Sequence, residues 1–192
     1  MNATILTASG RHIDLLRPDP ALIDINDIAH ALSNLCRFTG HTREFYSVAE
    51  HSVRVSGLVP RELALEALLH DAAEAYVGDV SSPLKAQLHE YRNIEFSIDQ
   101  AIRQRFGLPA KQSREVKHAD LVMLATERFD LMPDTPETWE ILQDVAPSGL
   151  RVSPVSPTIA RRWFLEIFDY YSTVRPVGTV TMMIKAAETL LG

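Results

Sequence analysis

Thiols are nearly absent from this 192-residue chain: Cys36 is its single cysteine, so no disulfide can form within it. Basic residues are also in deficit, with 19 Lys and Arg against 25 Asp and Glu, a formal charge of −6 and a pI near 5.6. That balance argues against a general nucleic-acid coat protein, because duplex binding rests on a basic surface. Any anionic substrate must therefore meet a local basic cluster. No apolar run approaches the roughly 20 residues needed to span a bilayer. The start, Met-Asn-Ala-Thr-Ile-Leu-Thr, lacks the basic and long apolar parts of a secretory leader, and no internal repeat is visible. The expectation is a cytoplasmic protein with neither a membrane nor a stable nucleic-acid partner. A hydrophobic fraction of 46% over this length suits one sizeable core rather than two, so residues 1–192 are expected to form a single domain.

What is present reads mainly as helix. The exception is the start, where Thr4–Thr7 and His12–Leu15 flank Ser9-Gly10 and predict a small hairpin within residues 1–18. From residue 25 to 172 the spacing predicts about six helices. Ile28, Leu32, Leu35 and Cys36 mark the first, with Asn26 as its cap. Ser47-Val48-Ala49-Glu50 has the form of a capping box and starts the second, placing His51 in its first turn. Pro60 suits the opening of a third, along which Leu63, Ala67, His70 and Glu74 share a face until Gly78. A fourth runs from Ser82-Pro83 to Gly107 with Leu84, Leu88, Ile94 and Ile98 inward, and a fifth begins at Ser113 with Val116, Asp120, Met123 and Glu127 aligned. Pro133 to Pro157 reads as a loop with a turn near Trp139. Ser156-Pro157 then opens a sixth helix carrying Trp163, and residues 173–192 form a tail in which Met182–Leu191 is a further helical stretch.

Leu68 to Asp79 is the segment to explain, since it sets His70, Asp71, Glu74 and Asp79 in residues otherwise apolar enough for a core. An unpaired carboxylate is costly to bury, so such a cluster implies a cation, a metal or a wet cleft. A hydrolytic metal needs a few nitrogen and oxygen ligands and an open position. His51, His70, Asp71 and Asp120 supply that set from three predicted helices, and two His with two Asp suit Mn, Fe, Co, Ni or Zn. Each imidazole needs its second nitrogen held, by Glu50 or by a backbone carbonyl. Glu74, one turn beyond His70, is placed to handle the attacking water. Taken alone, Asp120 reads equally as an exposed acid beside Lys117, and Arg37 as a charge favoured at a helix C-terminus. His12, His30, His41, His89 and His118 read as surface or structural residues.

His51, His70-Asp71 and Asp120 together resemble the H…HD…D signature of the HD-domain metal-dependent phosphohydrolases. The stretches Ser47–Ser52, His70–Glu74 with Gly78-Asp79 and Pro83-Leu84-Lys85, and Val116–Asp120 look like those of small bacterial 5′-deoxynucleotidases and of phage dATP triphosphohydrolases, over roughly residues 25 to 130. The resemblance implies a compact all-α HD-domain bundle with His51, His70, Asp71 and Asp120 as ligands of a divalent transition metal. It implies Glu74 and Asp79 as catalytic residues, and Arg37, Phe38, Asp79, Pro83 and Lys85 as contacts to the nucleotide. Phe38 stands where the nucleotidase pattern has Trp, which alters the stacking surface. The implied activity is hydrolysis of 2′-deoxynucleotides, with dATP favoured and dNMPs as the alternative, by a homo-oligomer (dimer or hexamer). A phosphodiesterase or nuclease of the same fold, or a non-catalytic metal-stabilised module, are the competing readings.

Overall fold

A computed structural model describes residues 3–137 and 139–173. Thr4–Leu6 (β1) and His12–Asp14 (β2) pair antiparallel, with Ile5 opposite Ile13, and Gly10 takes φ +83° in the turn. A ribbon of two strands has little stability of its own, and two contacts dock it: Ile13 is buried in the main core, and Ser9 donates from its backbone N–H and its hydroxyl to Asp27 (2.8 and 2.7 Å). The rest is helical, as expected: Ile25–Asn34 (α1), Val48–Ser56 (α2), Ala64–Leu68 (α3), Glu74–Val77 (α4), Ser82–Lys85 (α5), His89–Phe106 (α6), Arg114–Leu131 (α7) and Pro157–Ser172 (α8). Helix α8 packs across α1, α2 and α3, and α2 also packs on α7. Ile28, Leu32, Val53, Leu68, Ile98 and Phe164 fill the larger core; Tyr46, Val55, Val116 and Met123 fill a smaller one between α2 and α7.

Eight α-helices stand among the described residues where about six were expected, because two predicted helices are each broken once. The third breaks after Leu68. From Leu69 to Ala73 the chain runs in tight turns closed by bonds three residues apart, Ala72 N–H to Leu69 O (3.1 Å) and Glu74 N–H to Asp71 O (3.0 Å) among them. Apolar spacings of three and four tolerate such turns, so the break leaves no mark on the sequence pattern. The fourth breaks at Ala86–Leu88, and Leu84 and Leu88, expected inward, are 52% and 37% exposed.

Three caps also differ from expectation. Asp24, not Asn26, caps α1 by accepting from Asn26 N–H (2.8 Å); a cap's oxygen has to precede the amides it satisfies. Ser113 does open α7, yet its hydroxyl donates to Glu66 (2.9 Å), which also binds Arg103. Ser47 caps α2 at Glu50 N–H (3.1 Å), but Glu50 does not return the bond. Its carboxylate accepts instead from Arg54 Nε and Nη2 (3.1 and 2.8 Å) and from Val155 N–H (3.0 Å), tying the segment before α8 onto α2. Ser156 caps α8 as expected, and the loop before it holds one short turn, Glu140–Leu142. The Met182–Leu191 helix lies outside the described residues. No helix among those described is long and apolar enough to cross a membrane.

Glu50 is fully buried, and truncating one partner of a buried ion pair costs about 3–5 kcal/mol. Glu50→Ala should lose stability on that scale in urea unfolding. A change within experimental error would show that the pair is not a fastening of the fold.

Candidate metal centre

Three separate elements deliver the predicted ligands. His51 lies in the first turn of α2 and is fully buried, His70 and Asp71 sit in the tight turns between α3 and α4, and Asp120 is on the second turn of α7. In those turns the adjacent His70 and Asp71 meet at one point, with Asp71 Oδ2 lying 3.2 Å from His70 Nε2. Residues 35–48 form an excursion closed at its base by Arg37 N–H to Tyr46 O (2.9 Å) and Val48 N–H to Leu35 O (3.1 Å). That closure sets Arg37 beside the start of α2. Phe38 and Thr39 follow at φ +53° and +54°, a left-handed conformation that costs a side-chain-bearing residue on the order of 1 kcal/mol or more.

The imidazole Nε2 atoms of His51 and His70 face each other at 3.3 Å. Asp120 Oδ1 lies 3.3 Å from the first and 3.7 Å from the second; Asp71 Oδ2 lies 3.6 and 3.2 Å from them. Both Nδ1 atoms are already engaged. His70 Nδ1 donates to the Ala67 carbonyl (2.7 Å), and His51 Nδ1 is 2.5 Å from Glu127 Oε1. Carbonyl and carboxylate only accept, so in the neutral rings both Nε2 lone pairs point into one space that two carboxylates share. Such a set requires protons or a cation. His51, His70 and Asp120, with ligand atoms within 4.8 Å of one another, form a cluster that could hold a metal ion. Asp71 stands at its side, its Oδ2 3.4 Å from Arg37 Nη1.

Burial opposes the charging of every group here, and the neighbours decide the outcome. Asp71 is held below the usual carboxylate range by His70, and Asp120 by both imidazoles; the aspartates in turn push His70 well above its ordinary value. His51 moves up less, opposed by burial and Arg37 and favoured by Glu127 and Asp120. Glu127 is buried yet held low by Arg37 and His51. Glu74 goes the other way. Burial, Asp71 and Asp79 push it well above the carboxylate range, and its Oε2 is buried without a hydrogen-bond partner.

The expected substrate contacts are placed unevenly. Lys85 Nζ lies 3.7 Å from Glu74 Oε1 and 2.6 Å from Glu95 Oε1. Asp79, pushed up by burial and Asp71, belongs to the same field of charges. Phe38 is half-buried with its ring 6.0 Å from that of Trp139, and Pro83 is exposed on α5. Lys117 pairs with Asp120 Oδ2 (2.8 Å) from an exposed position, and the other five histidines are exposed, as expected. Glu50 does not support His51, a correction that follows from its bonds to Arg54 and Val155. Glu127 takes that place. It was visible only as a carboxylate on the face of α7 that also holds Asp120 and Met123.

The fold and site define an all-α protein with a His–His–Asp cluster able to hold a metal ion. No family model matches the chain. It belongs to the family of the uncharacterized protein YfdR of Escherichia coli K12, to which it is 48% identical over 172 residues, covering 89% of this chain and 97% of that one. An uncharacterized protein of Rhodobacter capsulatus is 42% identical over 121 residues, covering 58% of this chain and 62% of its own length.

Without a cation, the raised imidazoles stabilise the fold fully below their unfolded value of about 6.5, and that contribution is lost as pH rises through their folded values. The lowered aspartates contribute above about 3.9 and lose it only as pH falls through their folded values. Thermal melts in chelator should therefore fall from pH 6 to pH 9, and added zinc should remove most of that fall because it binds where protons leave. His70→Ala should abolish the zinc effect. Parallel melts with and without zinc across that range would contradict the ligand assignment.

Proposed function

We propose that this protein is a metal-dependent phosphohydrolase of 2′-deoxynucleotides, of the HD-domain kind. The observation that carries this is Glu74, a buried carboxylate with an unpartnered oxygen beside a cluster fit for a cation and next to Lys85. A closed structural metal site has no use for such a group. His51, His70, Asp71 and Asp120 would hold a divalent transition ion, which supplies a Lewis acid for the phosphoryl oxygen and acidifies water. Glu74 takes the proton of the attacking water, a role suited to a carboxyl whose pKa is pushed up by burial, Asp71 and Asp79. Lys85 and Arg37 hold phosphate oxygens, Phe38 offers a stacking face, and Asp79 accepts from the 3′-hydroxyl. A ribose 2′-hydroxyl would have to fit between Asp79 and the aromatic wall, and leaving it unmatched costs about 1–3 kcal/mol.

The cations at hand bear on the number of phosphates. A triphosphate needs several, as phosphoryl-transfer sites illustrate. Here Arg37 already faces Asp71 and Glu127, Lys85 faces Glu74 and Glu95, Lys117 faces Asp120, and Arg43 is exposed. That inventory favours a deoxynucleoside monophosphate over dATP, the substrate the resemblance puts first. Self-association is part of the proposal, and Phe96 and Phe129, 63% and 69% exposed, are apolar surface that an interface would cover.

Hydrolysis of dAMP, AMP, dATP, ATP and dGTP with added Co or Mn, with products resolved, tests this. Deoxyadenosine and phosphate from dAMP, with AMP roughly ten- to a hundredfold slower, is the expected result. Triphosphate release from dATP would restore the other phosphate number, and equal rates on AMP and dAMP would overturn the sugar argument. Activity confined to cyclic dinucleotides or single-stranded DNA would replace the proposal altogether. Glu74→Ala should keep bound metal and lose roughly two or more orders of magnitude in turnover; wild-type turnover would remove Glu74 from the chemistry.

A further inference from the structure

We infer that Glu127 is a positioning residue for the metal centre: it fixes which nitrogen of His51 carries the proton and aims the other at the cation. The inference rests on the metal-dependent reading above and adds a residue that neither the sequence spacing nor the resemblance assigns. Glu127 is fully buried on α7, two turns beyond Asp120. Its oxygens divide their partners. Oε1 lies 2.5 Å from His51 Nδ1 and accepts from the Tyr46 hydroxyl at 2.9 Å, while Oε2 accepts from Arg37 Nη2 at 3.2 Å.

An ionised carboxylate has no proton to give. A contact as short as this one on Nδ1 therefore forces the Nδ1–H tautomer, and Nε2 is left bare where it meets His70 Nε2 and Asp120 Oδ1. With the opposite tautomer, His51 would present a hydrogen to the cation. His70 obtains the same orientation from a backbone carbonyl, which cannot change charge; His51 depends on a side chain that must stay ionised while buried. Arg37 supplies the counter-charge. Through Nη1 it also reaches Asp71 Oδ2, itself 3.6 Å from His51 Nε2, so His51, Glu127, Arg37 and Asp71 close a ring around one edge of the centre. A mere counter-ion for Arg37 would need only Oε2. The Oε1 contact marks the second role, and a carboxylate behind a ligating imidazole both orients the ring and raises its basicity.

Zinc affinity, measured by competition with a chromophoric chelator, separates these roles. Glu127→Gln preserves volume and removes the charge; Tyr46→Phe removes one buried hydrogen bond to the same carboxylate and keeps the charge. Glu127→Gln is expected to bind zinc about 10–100-fold more weakly than wild type, with Tyr46→Phe close to wild type. Unchanged affinity in Glu127→Gln, or equal losses in both variants, would overturn the positioning role and leave a packing one. Nitrogen-15 spectra of histidine-labelled, zinc-loaded wild type test the same point without a variant: the His51 proton should be on Nδ1, and a proton on Nε2 would refute the inference even if Glu127→Gln fails to fold. Wild type that takes up no zinc would overturn the metal centre itself, and the role of Glu127 with it.

Discussion

Two imidazole nitrogens 3.3 Å apart, each ring already committed at its other nitrogen, are the constraint on which this structure turns. Add the two aspartate oxygens within 3.7 Å of them and the space holds four electron-pair donors that repel one another when bare. Folding brings them together only if something positive joins them. In the absence of metal that role falls to protons, which is why the imidazoles rise and the aspartates fall. A metal binding at this cluster would therefore be linked to proton release and to stability in one equilibrium.

The carboxylates around the centre sort by what faces them. Glu127 meets Arg37 and His51, which hold it low in full burial; Glu74 meets burial, Asp71 and Asp79, which push it up. Groups whose surroundings push their pKa values apart divide the labour of acid–base chemistry. Here the carboxylate held low suits the support of an imidazole, and the one pushed up suits the proposed exchange of a proton with water. Strain falls in the same place, since Phe38 and Thr39 adopt left-handed backbone beside Arg37 while closed backbone pairing holds the base of their loop. Observed strain at a candidate contact residue is consistent with a conformation kept for its use.

Much of the cluster was legible in the sequence because its side chains carry their own chemistry. His51, His70, Asp71 and Asp120 are polar intrusions on inward faces, and the fold places them together. The class of fold, the hairpin and the last two described helices were readable from apolar spacing and from Ser113 and Ser156-Pro157 at their starts. Breaks at Leu69–Ala73 and Ala86–Leu88 were not, since they preserve the local apolar pattern that betrays a helix. Glu50 and Glu127 show the deeper limit. Both are single carboxylates on otherwise apolar faces. Which one supports His51 depends on where α7 and the segment at Val155 pack, a long-range fact that no local motif records.

One cation held by two imidazoles is the feature on which the proposed function depends. X-ray absorption on the protein loaded with one equivalent of zinc reads that directly. The predicted spectrum shows two imidazole nitrogens with carboxylate or water oxygens completing the shell at about 2.0–2.2 Å, and loses one imidazole in His70→Ala. A shell of oxygens alone, or one unchanged in that variant, would contradict it.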